Sequence, residues 1–517
     1  MKFLPIGIGN LSLLAFLCLG MPNDLRGGAT SARNRVPGSD NPVARFASRP
    51  PDVLIVNQAL LPPVPFPPEN PPLDAKRLLG KILFWDEQLS SDNTVACGTC
   101  HIPANAGADP RFARHPGADG LFHTDDDVFG SPGIVRRDAN NDVMEDPLFG
   151  FDPQVTRRAA QSYFMAGYAA ELFWDGRARS RFVDPLNPSI TVIPFGGGLE
   201  SQAVVPILSE VEMAHEGRDW PQVIAKLEAA RPLALATDLP ADVAEALAEG
   251  RTYSELFDAA FADPQITPAR IAMAIATYER ALVPNQAPWD RYMMGDTGAM
   301  TAQQITGWNI LQHSTLCLNC HTPPLFTDNK FYNIGLRPSA EDVGRQEVTG
   351  EAADIGRFRT PSLRNVGLKV SLMHVGWITD VEDAVAFYNA PGVDDALPGW
   401  AGHVQFTQDQ SGIPTSTPGV FADYELIHVP VEAAVIDFIA NALTDPRVAN
   451  EEFPFDRPTL RSEELSALAS FVTCMTGPMP LPPTPLDAEA CLDRFDDDLD
   501  QTVDLADFAT LQSHGAR

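Results

Sequence analysis

The stretches Cys97-Gly98-Thr99-Cys100-His101 and Cys317-Leu318-Asn319-Cys320-His321 decide how this chain is read. Two thiols three positions apart, with an imidazole directly after the second, sit on a single turn of chain. That spacing lets both sulfurs add to the vinyl groups of one haem while the histidine reaches its iron. With 7 Cys and 10 His in 517 residues, chance supplies on the order of 0.002 such motifs, so two are not accidental. Zinc would want four ligands grouped in pairs, whereas these triads lie far apart. Cys97, Cys100 and His101 are therefore expected to carry one c-type haem, and Cys317, Cys320 and His321 a second. His101 and His321 would be the proximal iron ligands. The opposite face of each iron then decides function: two strong protein ligands make an electron carrier, and an open face admits peroxide or oxygen.

Around the motifs the patterning is mainly helical. Leu73 to Leu89 has helical spacing and leads into the first motif. Residues 105–150 are dense in Gly, Asp, Asn and Pro and read as loops, and helical periodicity returns over Ala159–Leu172. The clearest helix runs from Thr267, a capping residue followed by Pro268, to Leu282, with Ile271, Ile275, Tyr278 and Leu282 at helical spacing. Thr301-Ala302-Gln303-Gln304 is a capping-box start for a helix through Leu311. Late helices fit Val431–Leu443 and Ser462–Val472. Few segments alternate as strands do. The chain is thus expected to be mainly α, with two haem modules at 75–290 and 291–480 between a Pro-rich lead-in (22–74) and a tail (481–517). Beyond the two motifs, little repeats between the halves.

Composition narrows the partners. The net charge is −31, and no basic footprint for nucleic acid is present. An acidic surface steers a basic partner such as a small cytochrome, and it also simply confers solubility. Lys2 followed by the apolar run Phe3–Met21 reads as a secretory signal peptide (1–21). Its length is near the ~20 residues of a membrane span, so loose anchoring is the alternative, and no later segment is apolar enough to insert. The mature protein is expected outside the cytoplasm, in the periplasm or at the cell surface. Cys18 lies in this leader, which leaves Cys474 and Cys491 as a disulfide suited to an oxidising compartment, or as buried thiols.

The acidic tail places oxygen ligands at positions 1, 3, 5, 7, 9 and 12 of a calcium loop: Asp496, Asp498, Asp500, the Thr502 carbonyl, Asp504 and Asp507. It is similar to an EF-hand or dockerin loop, with Gln501 in place of the turn glycine and Asp507 in place of the bidentate glutamate. Weak calcium binding is expected. A scaffold partner would follow only by analogy with dockerins, which carry two such loops.

Beyond the haem motifs, four stretches resemble the bacterial di-haem cytochrome c peroxidases and their MauG-type relatives, over roughly residues 72–475. They are Phe173-Trp174-Asp175-Gly176-Arg177, Gln202-Ala203-Val204-Val205-Pro206 with Glu212-Met213, Cys320-His321-Thr322-Pro323-Pro324-Leu325-Phe326-Thr327-Asp328, and Arg359-Thr360-Pro361-Ser362-Leu363-Arg364-Asn365-Val366 leading to His374. The resemblance implies two cytochrome c-like domains packed together. It implies a peroxide site at the His101 haem, lined by Gln202, Pro206 and Glu212, with Glu212 as acid/base. Trp174 would relay electrons from the His321 haem, which a small cytochrome or other donor would feed. Where classical members place a methionine ligand, 14 residues beyond His374, this chain has Tyr388, as MauG-type proteins do; Met373 is the alternative ligand. The resemblance also implies a calcium ion held by the carbonyls of Lys369 and Ser371. Neither His115 nor His123 has the family's offset for a sixth ligand, so an open first iron is expected. Insertions between Arg177 and Glu200 and around Pro391–Asp423 depart from the pattern.

Overall fold

A computed structural model describes residues 61–124, 126–315, 317–389, 429–451 and 457–462. The signal-like run, Cys474 and Cys491, the calcium-type loop 496–507, the 391–423 insertion and nearly all of the Ser462–Val472 helix lie outside these residues.

The chain is largely helical. Helix α1 (Asp74–Trp85) buries Leu79, Ile82, Leu83, Phe84 and Trp85, each contributing roughly 1.5–3 kcal/mol. It runs toward the short helix α2 (Cys97–Cys100). Helix α3 (Gly198–Ala203) follows the first insertion, and α4 (Pro268–Arg280) closes the first half. The Thr267 hydroxyl accepts from Arg270 N–H at 3.2 Å, the cap its sequence called for. In the second half, α5 (Ala302–Ser314) starts on the reciprocal Thr301–Gln304 capping box. Helix α6 (Val381–Asn389) follows, and α7 (Val429–Asp437) continues as a π turn through Phe438–Ala442.

In each half the helix before the haem motif crosses a late helix at a glycine. A Cβ on Gly80 of α1 would lie 1.9 Å from the Ala274 carbonyl of α4. A Cβ on Gly307 of α5 would lie 1.9 Å from the Ala434 carbonyl of α7. Only hydrogen fits at either crossing.

Among the described residues strands are few and short: four antiparallel two-stranded ribbons, β1–β2 (Ala113–His115, Val128–Gly130), β3–β4 (Pro132–Val135, Pro153–Val155), β5–β6 (Phe182–Asp184, Asn187–Ile193) and β7–β8 (Phe331–Tyr332, Phe358–Arg359). The loop region expected over 105–150 thus contains three strands, and the first insertion forms the β5–β6 ribbon.

Ala159–Leu172 is not the helix its periodicity predicted. Apart from one 3-10 turn at Ala166–Tyr168 it is irregular. Its backbone is spent on partners distant in sequence: Ala159 N–H donates to His374 O at 2.9 Å, and Ala159 O accepts from the Trp174 indole at 2.8 Å.

This segment also reveals a repeat that the sequence hid. Residues 164–180 and 364–380 follow the same backbone path, shifted by 200 positions. Each has a left-handed residue (Met165, Asn365), a 3-10 turn (Ala166–Tyr168, Val366–Leu368), a bridge (Leu172 to Ala178, Leu372 to Ile378), a second left-handed residue (Phe173, Met373) and a left-handed glycine (Gly176, Gly376). The copies clasp each other reciprocally: Ala159 N–H meets His374 O, and Arg359 N–H meets Trp174 O at 2.7 Å. Arg158 reinforces the clasp, bonding Asp175 at 2.6 Å and Asp342 at 2.6 and 2.7 Å. Two large apolar clusters flank it. One draws on residues from Leu79 to Leu282 with Val448 and Leu460, and the other on residues from Trp289 to Leu443.

Candidate active site

Each CxxCH motif opens onto a cavity, about 780 Å³ at the first and about 460 Å³ at the second. Both lie within the range of cofactor pockets. Gly98 holds the first motif against the core, since a Cβ there would fall 2.1 Å from the Trp85 ring. His101 Nδ1 lies 2.9 Å from Gly107 O and His321 Nδ1 lies 3.2 Å from Phe326 O. A ring nitrogen that donates to a carbonyl leaves the other with its lone pair free for a metal. Burial lowers the pKa of both rings, which keeps them in the neutral, ligating form. Cys97 and Cys100 line the first cavity, Cys317 and Cys320 the second.

A haem brings two anionic propionates, and two buried cations here have no carboxylate partner among the described residues. Arg359 is buried, and among the described residues its guanidinium bonds only the neutral Asn329 and Gln161 side chains at 2.9 Å each and leaves its Nε without a partner. Burial draws its pKa down to about 10. Lys369 has no ion pair among the described residues and is lowered to about 8, again by burial. Both line the second cavity. A buried cation without a carboxylate is costly unless an anion joins it, so these residues fit the haem.

The first cavity brings together Gln202, Pro206, Glu212 and Trp174. Gln202 comes from α3, Pro206 from the turn after it, and Glu212 from a tight turn in which Ser209 O accepts from Glu212, Met213 and Ala214 N–H. Strand β3 presses on this turn: Ile134 N–H donates to Val211 O at 3.2 Å, and a Cβ on Gly133 would fall 1.9 Å from the same carbonyl. Desolvation raises the Glu212 pKa, opposed by a hydrogen bond from Ser209 and by the charge of Arg177. The carboxyl is thereby moved toward neutral pH, where it can both take and return a proton.

Trp174 lines both cavities, as does Gln161. Its ring meets the His374 ring edge-on at 6.2 Å between centroids, and His374 stacks on Phe358 at 3.7 Å. His374 is buried and its pKa falls to about 3 through desolvation, so the imidazole is neutral.

Tyr388, on α6, lines the second cavity, and so does Met373. The Tyr388 phenol is pushed up by burial and then by the nearby Cys320 and Cys317 thiols. The second cavity is more apolar in its walls, with Val381, Val385, Val435 and Ile439. His115, given no role by its spacing, lines the first cavity with Nδ1 accepting from Gly117 N–H at 3.1 Å, while His123 is exposed and does not.

Two lining residues escaped the sequence reading. Arg359 opens the stretch Arg359–Val366, but nothing in its spacing points to a cofactor. Glu279 lines the first cavity and follows Ile275 by four positions on the buried face of α4. A carboxylate on an otherwise apolar stripe was the available signal.

The model of the family described as di-haem cytochrome c peroxidase matches residues 74–298. The methylamine utilization protein MauG of Methylorubrum extorquens is 30% identical over 328 residues, covering 63% of this chain and 71% of that protein. Cytochrome-c peroxidase IdrP1 of Denitromonas iodatirespirans is 29% identical over 364 residues, covering 64% of this chain and 77% of that protein. Among solved structures, a MauG-like protein associated with microbial copper homeostasis aligns with a TM-score of 0.54 at 22% identity, over 76% of this chain and 96% of that one, a likeness of fold. The chain belongs to the di-haem cytochrome c peroxidase family.

Proposed function

We propose that this chain is an exported di-haem peroxidase that reduces hydrogen peroxide in the Glu212 cavity with electrons entering through the Tyr388 cavity. Residues 75–290 form the peroxide domain and 291–480 the electron-entry domain, each cytochrome c-like. The observation that carries the reading is the asymmetry of the two cavities: a carboxyl of raised pKa beside Gln202 and Pro206 in the first, a phenol among aliphatic side chains in the second.

His101, Cys97 and Cys100 would hold a haem in this cavity, and that group would supply the redox chemistry for peroxide reduction. Glu212 takes the proton from one peroxide oxygen and returns it to the other as that oxygen departs as water. Two electrons and two further protons complete the conversion of one peroxide to two waters. Gln202 offers an amide to orient the substrate, and Pro206 keeps the turn without a competing N–H. Trp174, touching both cavities, is the electron relay, and a small cytochrome is the donor.

A second reading rests on Tyr388. A phenolate is a hard anionic donor that favours the ferric state, so the second haem would store an oxidising equivalent, and the electrons would come from a protein or organic substrate. Stopped-flow mixing of the diferric holoprotein with hydrogen peroxide, then with ferrocytochrome c, tests both. A peroxide-dependent absorbance change that ferrocytochrome c reverses supports the peroxidase. A change that ferrocytochrome c leaves untouched supports the second reading, and no change with peroxide defeats both.

Calcium binding by Asp496, Asp498, Asp500, Thr502, Asp504 and Asp507, and by the Lys369 and Ser371 carbonyls, remains a proposal for calorimetry on the full chain, as does any scaffold partner of the tail.

A further inference from the structure

The first cavity contains a second carboxyl that the peroxide chemistry above does not use. Glu279 is 5% exposed, lines the cavity, and has its Oε2 buried without a hydrogen-bond partner. No ion pair includes it among the described residues. The neighbouring Arg280 does not serve it: that guanidinium binds both oxygens of Glu200 at 2.6 and 2.9 Å and Gly196 O at 3.0 Å. Glu200 is held in addition by Asn70, which Lys76 of α1 bonds in turn. Positive charge in this part of the core is therefore committed to Glu200, and Glu279 is left alone in a medium that disfavours its charge.

The second half provides the comparison. On α4 the cavity wall is built by Ile275 and Glu279, one turn apart. On α7 and its π turn, which cross α5 as α4 crosses α1, the wall is built by Val435 and Ile439. A branched apolar residue thus satisfies the packing at the matching place, so burial of a carboxyl in the first half is not a requirement of the frame.

Resting on the reading that a haem fills this cavity, we propose that Glu279 couples proton uptake to electron arrival at the first haem. Physical linkage gives the sign. An electron added to the haem makes the cavity more negative and strengthens proton binding at a carboxyl in the same low-dielectric space. Reduction therefore takes up a proton, and the haem potential falls as pH rises through the window where Glu279 titrates. Desolvation places that window high, with the pKa pushed up to about 8, lowered somewhat by Arg280 and raised by Glu200. The other titratable groups around Glu279 are Tyr278 on its own helix, Tyr163, which also lines the cavity, and Cys97, which thioether formation removes. Glu212 shares the cavity and is the competing candidate.

The test is spectroelectrochemistry of the holoprotein on either side of about pH 8. A one-electron couple linked to one proton shifts by up to ~59 mV per pH unit, the equivalent of a tenfold change in proton activity. The slope is expected at the first haem of the wild type and of Glu212→Gln, and in weakened or shifted form in Glu279→Asp. It is expected to vanish in Glu279→Gln, while the second haem behaves identically in all four proteins. A slope unmoved by Glu279→Gln, or lost in Glu212→Gln instead, overturns the proposal. A pyridine haemochrome count below two haems per chain would instead defeat the reading beneath it.

Discussion

At residues 164–180 and 364–380 the backbone takes the same path, yet Trp174 occupies the place that His374 occupies in the second copy. The same holds for the walls. Where α4 presents Ile275 and Glu279 to the first cavity, α7 and its π turn present Val435 and Ile439 to the second. Both halves share a glycine-mediated helix crossing, a neutral histidine held through Nδ1, and a pair of cavity thiols. Attachment of a cofactor is thus a property of the shared frame. On the proposed function, reactivity follows from the few side chains that differ: carboxyls with raised pKa in the first half, aliphatic residues and a phenol in the second.

The largest expected effect comes from removing the carboxyl to which the proposed function gives the acid/base role. Glu212→Gln should lower peroxide turnover by roughly 10²–10⁴-fold with both haems still attached, as steady-state assays and haemochrome spectra would show; full turnover would end the assignment. Next come the shared crossings. Gly80→Ala and Gly307→Ala should each destabilise their half by about 1–3 kcal/mol through overpacking, read as a lowered denaturant midpoint. Equal stability in both variants would mean that the crossings can spread at no cost. Trp174→Phe removes the indole bond to Ala159 O, worth about 0.5–1.5 kcal/mol, and should slow electron transfer from the second haem to the first while leaving the initial reaction with peroxide intact. The subtlest is pH dependence. Because Glu212 must be ionised to accept a proton and its pKa is raised, the rate with peroxide should fall as pH drops. That acid limb should lie above the usual carboxylate range and be absent from Glu212→Gln.

How much of this was readable in one dimension differs by link. The haem motifs, the caps at Thr267 and Thr301 and the apolar face of α4 were legible because local spacing dictates them. Ala159–Leu172 was misread because its backbone groups are committed to Trp174 and to residues of the second half; such long-range partners leave no periodic trace. The copied turn was hidden for a related reason. A backbone path set by left-handed positions and glycines tolerates different side chains, and of the residues involved Gly167 and Gly367, Leu172 and Leu372, and Gly176 and Gly376 are shared. The lone carboxyl Glu279 and the buried Arg359, which has no carboxylate partner among the described residues, became visible only when burial and neighbours were known.

Counting exogenous ligand sites bears most directly on the asymmetry of the two cavities. Cyanide titration of the diferric holoprotein, followed by absorption, should saturate at one equivalent per chain in the wild type, and at two in Tyr388→Phe once the second iron is opened. Two equivalents in the wild type, none, or a single one persisting in Tyr388→Phe would contradict an open first haem beside a tyrosine-closed second.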